Sequence, residues 1–369
     1  MSKLFYSFLI FGVFGGMIVV GQVEAAELHN DLQGTWKAEV VDILDEDRQK
    51  LMGVDAMVDT QDLVVRILEG KKQGELVEVV NDFFPLEIGD RFFLDYILTV
   101  DGQEFYSVAE PDRLKTLLFF VGLFALVVIA FSGWQGVRAL LSLVGSFLVI
   151  FYFLLPNLLA GWSPLLLSII VSIVILTLVI YFTHGFHLES TAALLGTVIT
   201  ISGTAGLAVW AVSATKLSGF AADESVFLNI STAGNLNFQG LLLGAIIIGT
   251  IGILDDIAIT QAATVNELHD SAPQLTRWEV YYRALRVGRE HVASLVNTLV
   301  FAYTGAVLPL LLLFTLSDSA TIMIINREIF ATEIIRTVVG SIGLILTVPV
   351  TTAIAVFLLY NAPLSRRGK

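Results

Sequence analysis

Apolar and polar positions alternate in short runs from residue 27 to residue 112, and beyond residue 113 the alternation gives way to apolar runs of about 20 residues. The first region predicts strands. Trp36 to Leu44, Leu63 to Leu68, Leu76 to Val80, Arg91 to Leu98 and Glu104 to Val108 each suit a half-buried strand. Glu69 to Glu75 reads as a hairpin loop, and Gly89-Asp90 and Asp101-Gly102 mark two further turns. Five strands in so short a stretch indicate a small barrel of the OB or SH3-like type.

The second region predicts helices. Apolar runs cover approximately residues 116 to 132, 136 to 159, 164 to 183, 188 to 214, 238 to 264, 289 to 316 and 334 to 360. Each is long enough to cross a hydrocarbon core of about 30 Å. The expected fold is therefore a polytopic α-helical membrane protein of about seven transmembrane helices, preceded by a small extracytoplasmic β-barrel. Before both, residues 1–26 carry Lys3, an apolar stretch from Leu4 to Val20, and Val23-Glu24-Ala25, the pattern of a secretory signal or of an uncleaved anchor helix. The expected domains are 1–26 as signal or anchor, 27–113 as the acidic barrel, 114–363 as the seven-helix domain and 364–369 as a basic cytoplasmic tail.

Composition supports this division. Hydrophobic residues make up 56% of the 369-residue chain and its mean hydropathy is +0.80, values that do not suit a soluble globule. There is no cysteine, which excludes disulfides and thiolate metal sites. The net charge of -13 lies wholly between Glu27 and Arg113, where 8 Lys and Arg face 21 Asp and Glu. A barrel this acidic repels nucleic acid and favours cations or basic partners. With the barrel outside, Arg138, the segment holding Arg277, Arg283, Arg286 and Arg289, and the tail Ser365 to Lys369 all fall inside, and only Lys216 and Arg327 dissent. That predicts the N-terminal domain outside and the C-terminus inside.

The chemistry concentrates in Gly252-Ile253-Leu254-Asp255-Asp256-Ile257-Ala258-Ile259-Thr260-Gln261. A central Asp in a membrane helix costs roughly 2.5 to 3.5 kcal/mol to insert, so two in succession ask for a function. Asp255 lies 15 residues beyond Gly240, about 22 Å of helix, and so falls within the slab on its cytoplasmic side. Adjacent residues point about 100° apart, so the pair is expected to face different neighbours. Gly249, Gly252, Asp256, Thr260 and Glu267 share one stripe, where two glycines would let another helix approach. Thr197, Thr200 and Thr204 in the fourth predicted span, and Glu290, Ser294, Asn297 and Thr298 in the sixth, offer hydroxyl, amide and carboxylate oxygens to match. Hard oxygens suit a proton or a cation such as Mg²⁺, Ca²⁺ or Mn²⁺. The ion or proton site expected from sequence is thus Asp255, Asp256, Thr260, Thr197, Thr200, Asn297, Thr298 and Glu290. The competing reading has the helix leaving the bilayer near Asp255, with both carboxylates solvated or paired with Arg286 or Arg289. Gly340, Gly343 and Pro349 suggest that the seventh span is kinked or broken.

Lesser signals change little. His184 and His187 with Glu189 read as a solvated cytoplasmic turn, since spacing fixes no third ligand. No second span carries an Asp for an intramembrane aspartyl protease, and neither HExxH nor GxSxG occurs, so an enzyme is not expected. No cofactor is expected, though a divalent cation would serve as substrate or ligand.

The run Gly252 to Leu268, together with Arg286-Val287-Gly288-Arg289-Glu290-His291, Asn297 to Gly305 and Thr183-His184-Gly185, resembles the YibE/F family of bacterial multi-span membrane proteins. An extracytoplasmic β domain before the helices is similar to the YibE-like arm of that family. The resemblance implies a barrel-less membrane subunit as partner, with a homo-oligomer as the other assembly, and it implies no reaction. Two functions remain open. One is a transport protein, ion- or proton-coupled, working through the carboxylate pair. The other is a non-transporting scaffold or sensor whose barrel binds an envelope partner.

Overall fold

The computed structural model describes residues 33–50, 57–70, 72–99, 102–317 and 320–361. The predicted signal or anchor segment and basic tail lie outside these residues. The chain divides into two compact units between Phe131 and Ser132.

The first unit is built on an antiparallel sheet of β1 (Gln33–Lys50), β2 (Met57–Ile67), β3 (Leu76–Asn81), β4 (Arg91–Leu98) and β5 (Glu104–Pro111), in the order β3-β2-β1-β4-β5. All five predicted strands are present. β1 is long because it serves both halves of the sheet: Gln33 to Glu39 pair with β4, and Ala38 to Lys50 pair with β2. Register shifts at Val40/Asp42 and Ile43/Asp45 bend it, as bulges do. One face gathers Ala38, Val40, Leu63, Val65, Ile67, Val79, Phe92 and Leu94 into a buried core at the period of two that marked these strands in the sequence. Gln61 and Asn81 are buried with them and satisfied. Asn81 Nδ2 donates to Gln61 Oε1 at 2.9 Å, and Gln61 exchanges bonds with the backbone of Leu86.

The sheet is a half-barrel. Its free edges β3 and β5 approach each other, and the clasp between them is made by side chains. Lys72, in the turn before β3, pairs with Glu104, donates to Tyr106 Oη at 3.1 Å and stands over the Tyr96 ring. Gly70 in that turn has φ +92°, and a Cβ there would lie 2.4 Å from the Trp36 indole nitrogen, so backbone and space both require glycine.

The second unit is helical. α1 (Leu114–Val149) begins in the first unit, is interrupted at Gly133 (φ 57°, ψ -133°), and continues through a π turn (Ile150–Leu154) into α2 (Leu155–Leu159). Then come α3 (Pro164–His184), α4 (Leu188–Ala214), the short α5 (Asp223–Ser231), α6 (Phe238–Ser271), α7 (Arg277–Ala306), α8 (Leu308–Thr315), α9 (Thr321–Ile325) and α10 (Glu328–Asn361). Among the described residues, five helical runs are long and apolar enough to cross a membrane, or six if the bent pair α7 and α8 counts as one. The expected number was about seven. The first two predicted spans fall within one run, Leu114–Leu159, which is interrupted at Gly133 and at about 1.5 Å per residue is long enough for two crossings, and the sixth turns by 67° between α7 and α8, where Pro309 follows the end of α7. The arginines assigned to a loop before the sixth span are helical as well, since a capping box of Thr276 and Glu279 starts α7 at Arg277.

α10 packs against α4, α6 and α7, and α3 packs against α6. Small residues set these contacts. A Cβ at Gly196 would lie 2.3 Å from Thr351 Oγ1, one at Gly343 2.5 Å from Thr204 Oγ1, and one at Gly244 2.4 Å from Ser168 Oγ. Pro349 sits inside α10, which runs without interruption from Glu328 to Asn361, so the break expected there is absent.

Candidate functional site

α6 is capped by Asn237, whose Oδ1 accepts from the Gly240 N–H at 2.9 Å, and it runs 34 residues to Ser271. Asp255 and Asp256 therefore fall near its middle. The helix does not end near Asp255, and among the described residues neither carboxylate is paired with Arg286 or Arg289. Asp255 is 8% exposed, and its Oδ1 is buried without a hydrogen-bond partner.

The two aspartates line one cavity of about 410 Å³, bounded by α1, α3 and α6. Distinct neighbours were expected for them; the cavity is wide enough to receive adjacent side chains that point about 100° apart. Its polar lining comes from Ser142 and Ser146 on α1 and from Thr183 and His184 at the end of α3. Ser142 Oγ and Thr183 Oγ1 lie 3.4 Å apart across the two helices, while Ser142 and Ser146 donate back to Ala139 and Ser142 carbonyls. Phe147, Ile150, Ile175, Leu176 and Ile251 form much of the remaining wall. Gly252 opens onto free space, and Gly249 has only the Tyr303 hydroxyl nearby, so the glycine stripe above the carboxylate receives no helix backbone. It leaves room for the cavity instead.

A second cavity, of about 350 Å³, lies between α6, α7 and α10. It brings together Thr260 and Glu290 from the expected set, along with Gln261, His291 and Ser294. Asp256 is within electrostatic reach of both His184 and His291. His184 lines the first cavity and His291 the second. Gln261 between α6 and its neighbours is a structural tie: Nε2 donates to the Ala284 carbonyl of α7 at 2.9 Å and to Thr352 Oγ1 of α10 at 2.7 Å.

The remaining expected residues are elsewhere. Thr197 and Thr200 are buried on α4, and their hydroxyls donate to the carbonyls of Ala193 and Gly196 one turn back. Neither lines either cavity. Asn297 and Thr298 are exposed on α7, Thr298 donating to the Ser294 carbonyl. Conversely, His184, read from sequence as part of a turn, joins the aspartates, as do Thr183 at the end of the third predicted span, Ser142 and Ser146. The signal for the serines was present as an i, i+4 pair in an otherwise apolar run. Among the described residues no group of three His, Asp or Glu side chains is arranged to hold a metal ion. The chemistry on offer is that of an acid pair with one imidazole across a small, mostly apolar cavity.

Residues 120–361 match the family described as YibE/F-like protein, and the chain belongs to that family. No curated protein and no solved structure matches it.

Proposed function

For this YibE/F-like chain we propose a multi-pass membrane protein that transports by coupling to a proton or cation, with Asp255 and Asp256 as the ion-carrying pair. One observation carries the reading: Asp255 holds a buried, unpartnered carboxylate oxygen beside a cavity lined mostly by apolar side chains. A charged carboxylate in such a place is expensive, and a bound proton or cation removes the cost. Binding and release of that ion would favour two different packings of α3 and α6, which alternating access requires. Of the two ions the proton fits better, since the polar groups here are proton donors and acceptors and His184 stands opposite the pair.

The surroundings suit a bilayer. α3, α4, α6 and α10 run 21 to 34 residues, which at 1.5 Å per residue is about 30 Å or more. Leu166, Ile170 and Val174 form an exposed stripe on α3 that lipid would cover. The acidic half-barrel lies outside in this reading, where it gathers cations or docks a partner, and the chain acts as a transporter rather than an enzyme.

Reconstitution in liposomes tests the proposal. A pH gradient should drive proton flux through the wild-type protein, and Asp255→Asn and Asp256→Asn should each abolish it while membrane levels stay constant. Flux that survives both substitutions removes the carboxylate pair from the mechanism. Absence of flux in the wild type, together with capture of an envelope protein by the half-barrel, supports the scaffold reading instead.

A further inference from the structure

A second polar centre lies in the helical unit, apart from the aspartates. Glu333 and Arg336 stand roughly 8 to 12 Å along α10 from its first residue, in an apolar helix where charge is costly. The guanidinium donates to Glu333 Oε1 at 2.8 Å, and its Nε remains buried without a partner. Beside them Thr332 is 3% exposed, and its hydroxyl also has no partner. Of the other buried threonines among the described residues, only Thr351 shares this. Thr197, Thr200, Thr204, Thr347 and Thr352 are equally buried, and each donates to the carbonyl four residues back.

Thr332 and Arg336 both line a cavity of about 280 Å³ between α5, α6 and α10. From α5, Glu224 lines the same cavity and makes no ion pair among the described residues. We propose that this cavity binds a small solute carrying both an ammonium group and a hydrogen-bond-accepting oxygen. The Thr332 hydroxyl and the Arg336 Nε–H supply donors to the oxygen, and the Glu224 carboxylate meets the ammonium. Glu224 and Glu333 against Arg336 leave one negative charge on the lining, so a cation or a zwitterion is accommodated and a simple anion is repelled. The volume is just under the range of about 300 to 1,000 Å³ of drug-sized ligand pockets, which limits the solute to amino-acid size. Phe238, Leu242 and Ile329 would cover a short alkyl portion.

The site stands independently of the aspartate pair. Titration calorimetry of the full-length protein in detergent tests it with ethanolamine, alanine and acetate as probes. Ethanolamine and alanine represent the cationic and zwitterionic forms of the ligand, and binding of either one supports the proposal; acetate should not bind. Thr332→Val and Glu224→Gln should each weaken binding about tenfold, equivalent to about 1.4 kcal/mol. Asp255→Asn should leave it unchanged, even if that variant has lost flux. No heat with either amine, equal binding of acetate, binding that neither substitution weakens, or loss of binding in Asp255→Asn each overturns the assignment. Glu224 is exposed on α5, so its variant keeps the test decisive should Thr332→Val fail to fold.

Discussion

His184, the last residue of α3, and Asp256, in the middle of α6, line the same cavity although 72 positions separate them in the chain. An imidazole there can take and return the proton that a carboxylate carries. His184→Gln keeps the size and hydrogen bonding of the side chain and removes its titration. It should leave the protein folded, slow proton-coupled flux by about tenfold or more and flatten its pH profile between about pH 5 and 8. An unchanged pH profile would mean that His184 only ends the helix.

Helix contacts in the second unit rest on particular glycines. Gly196→Ala places a Cβ 2.3 Å from Thr351 Oγ1 and 2.9 Å from the Thr351 Cα, so α4 and α10 must separate. A loss of about 1 to 3 kcal/mol is expected, read as a lowered melting temperature in detergent. Gly203→Ala on the same helix meets nothing within 4 Å and should be neutral or slightly stabilising. Equal melting temperatures for the two variants would contradict the close packing of α4 on α10.

Acid should loosen the half-barrel through Asp112. Burial alone would raise this carboxyl, but the Lys37 ammonium at 3.2 Å and the Leu114 N–H hold it below the ordinary carboxylate range. A carboxyl lowered in the folded state contributes stability above its unfolded value, near 3.9, and that stability is lost as pH falls through the lower folded value. Hydrogen exchange in β1, β4 and β5 should therefore quicken below about pH 4. Lys37→Met should remove about 1 kcal/mol and most of this dependence, whereas an identical pH response in the variant would assign the acid sensitivity elsewhere.

The absence of cysteine makes the proposed topology directly accessible to labelling. A single cysteine replacing Glu78 on β3 should react with an impermeant maleimide in intact cells. One replacing Asp270, exposed near the end of α6, should react only after permeabilisation. The reverse pattern would invert the chain in the membrane.

The strands were readable because alternation marks them independently of partners, and the residues that alternate into the core, such as Val65 and Phe92, are the apolar ones. The aspartate pair was readable because charge in an apolar run has few ordinary explanations. Their companions were less so. Ser142 and Ser146 are small polar residues of a kind that packing alone accounts for, and His184 sits at a helix end, where solvent is the default neighbour. Thr197 and Thr200 misled for the converse reason: a buried threonine satisfies itself on its own helix, so periodic hydroxyls need no ligand. Arg336 carries little signal of its own, since a single charge near the end of an apolar run suits the membrane interface and its partner Glu333 falls just before the predicted span.

Infrared difference spectroscopy across a pH step reads the carboxylic C=O stretch itself and tests the role of the acid pair most directly. The wild-type protein in lipid should show a carboxyl band that appears and disappears with pH, and Asp255→Asn should eliminate or shift it. A spectrum with no such band, or one that Asp255→Asn leaves untouched, would contradict a proton-carrying site on α6.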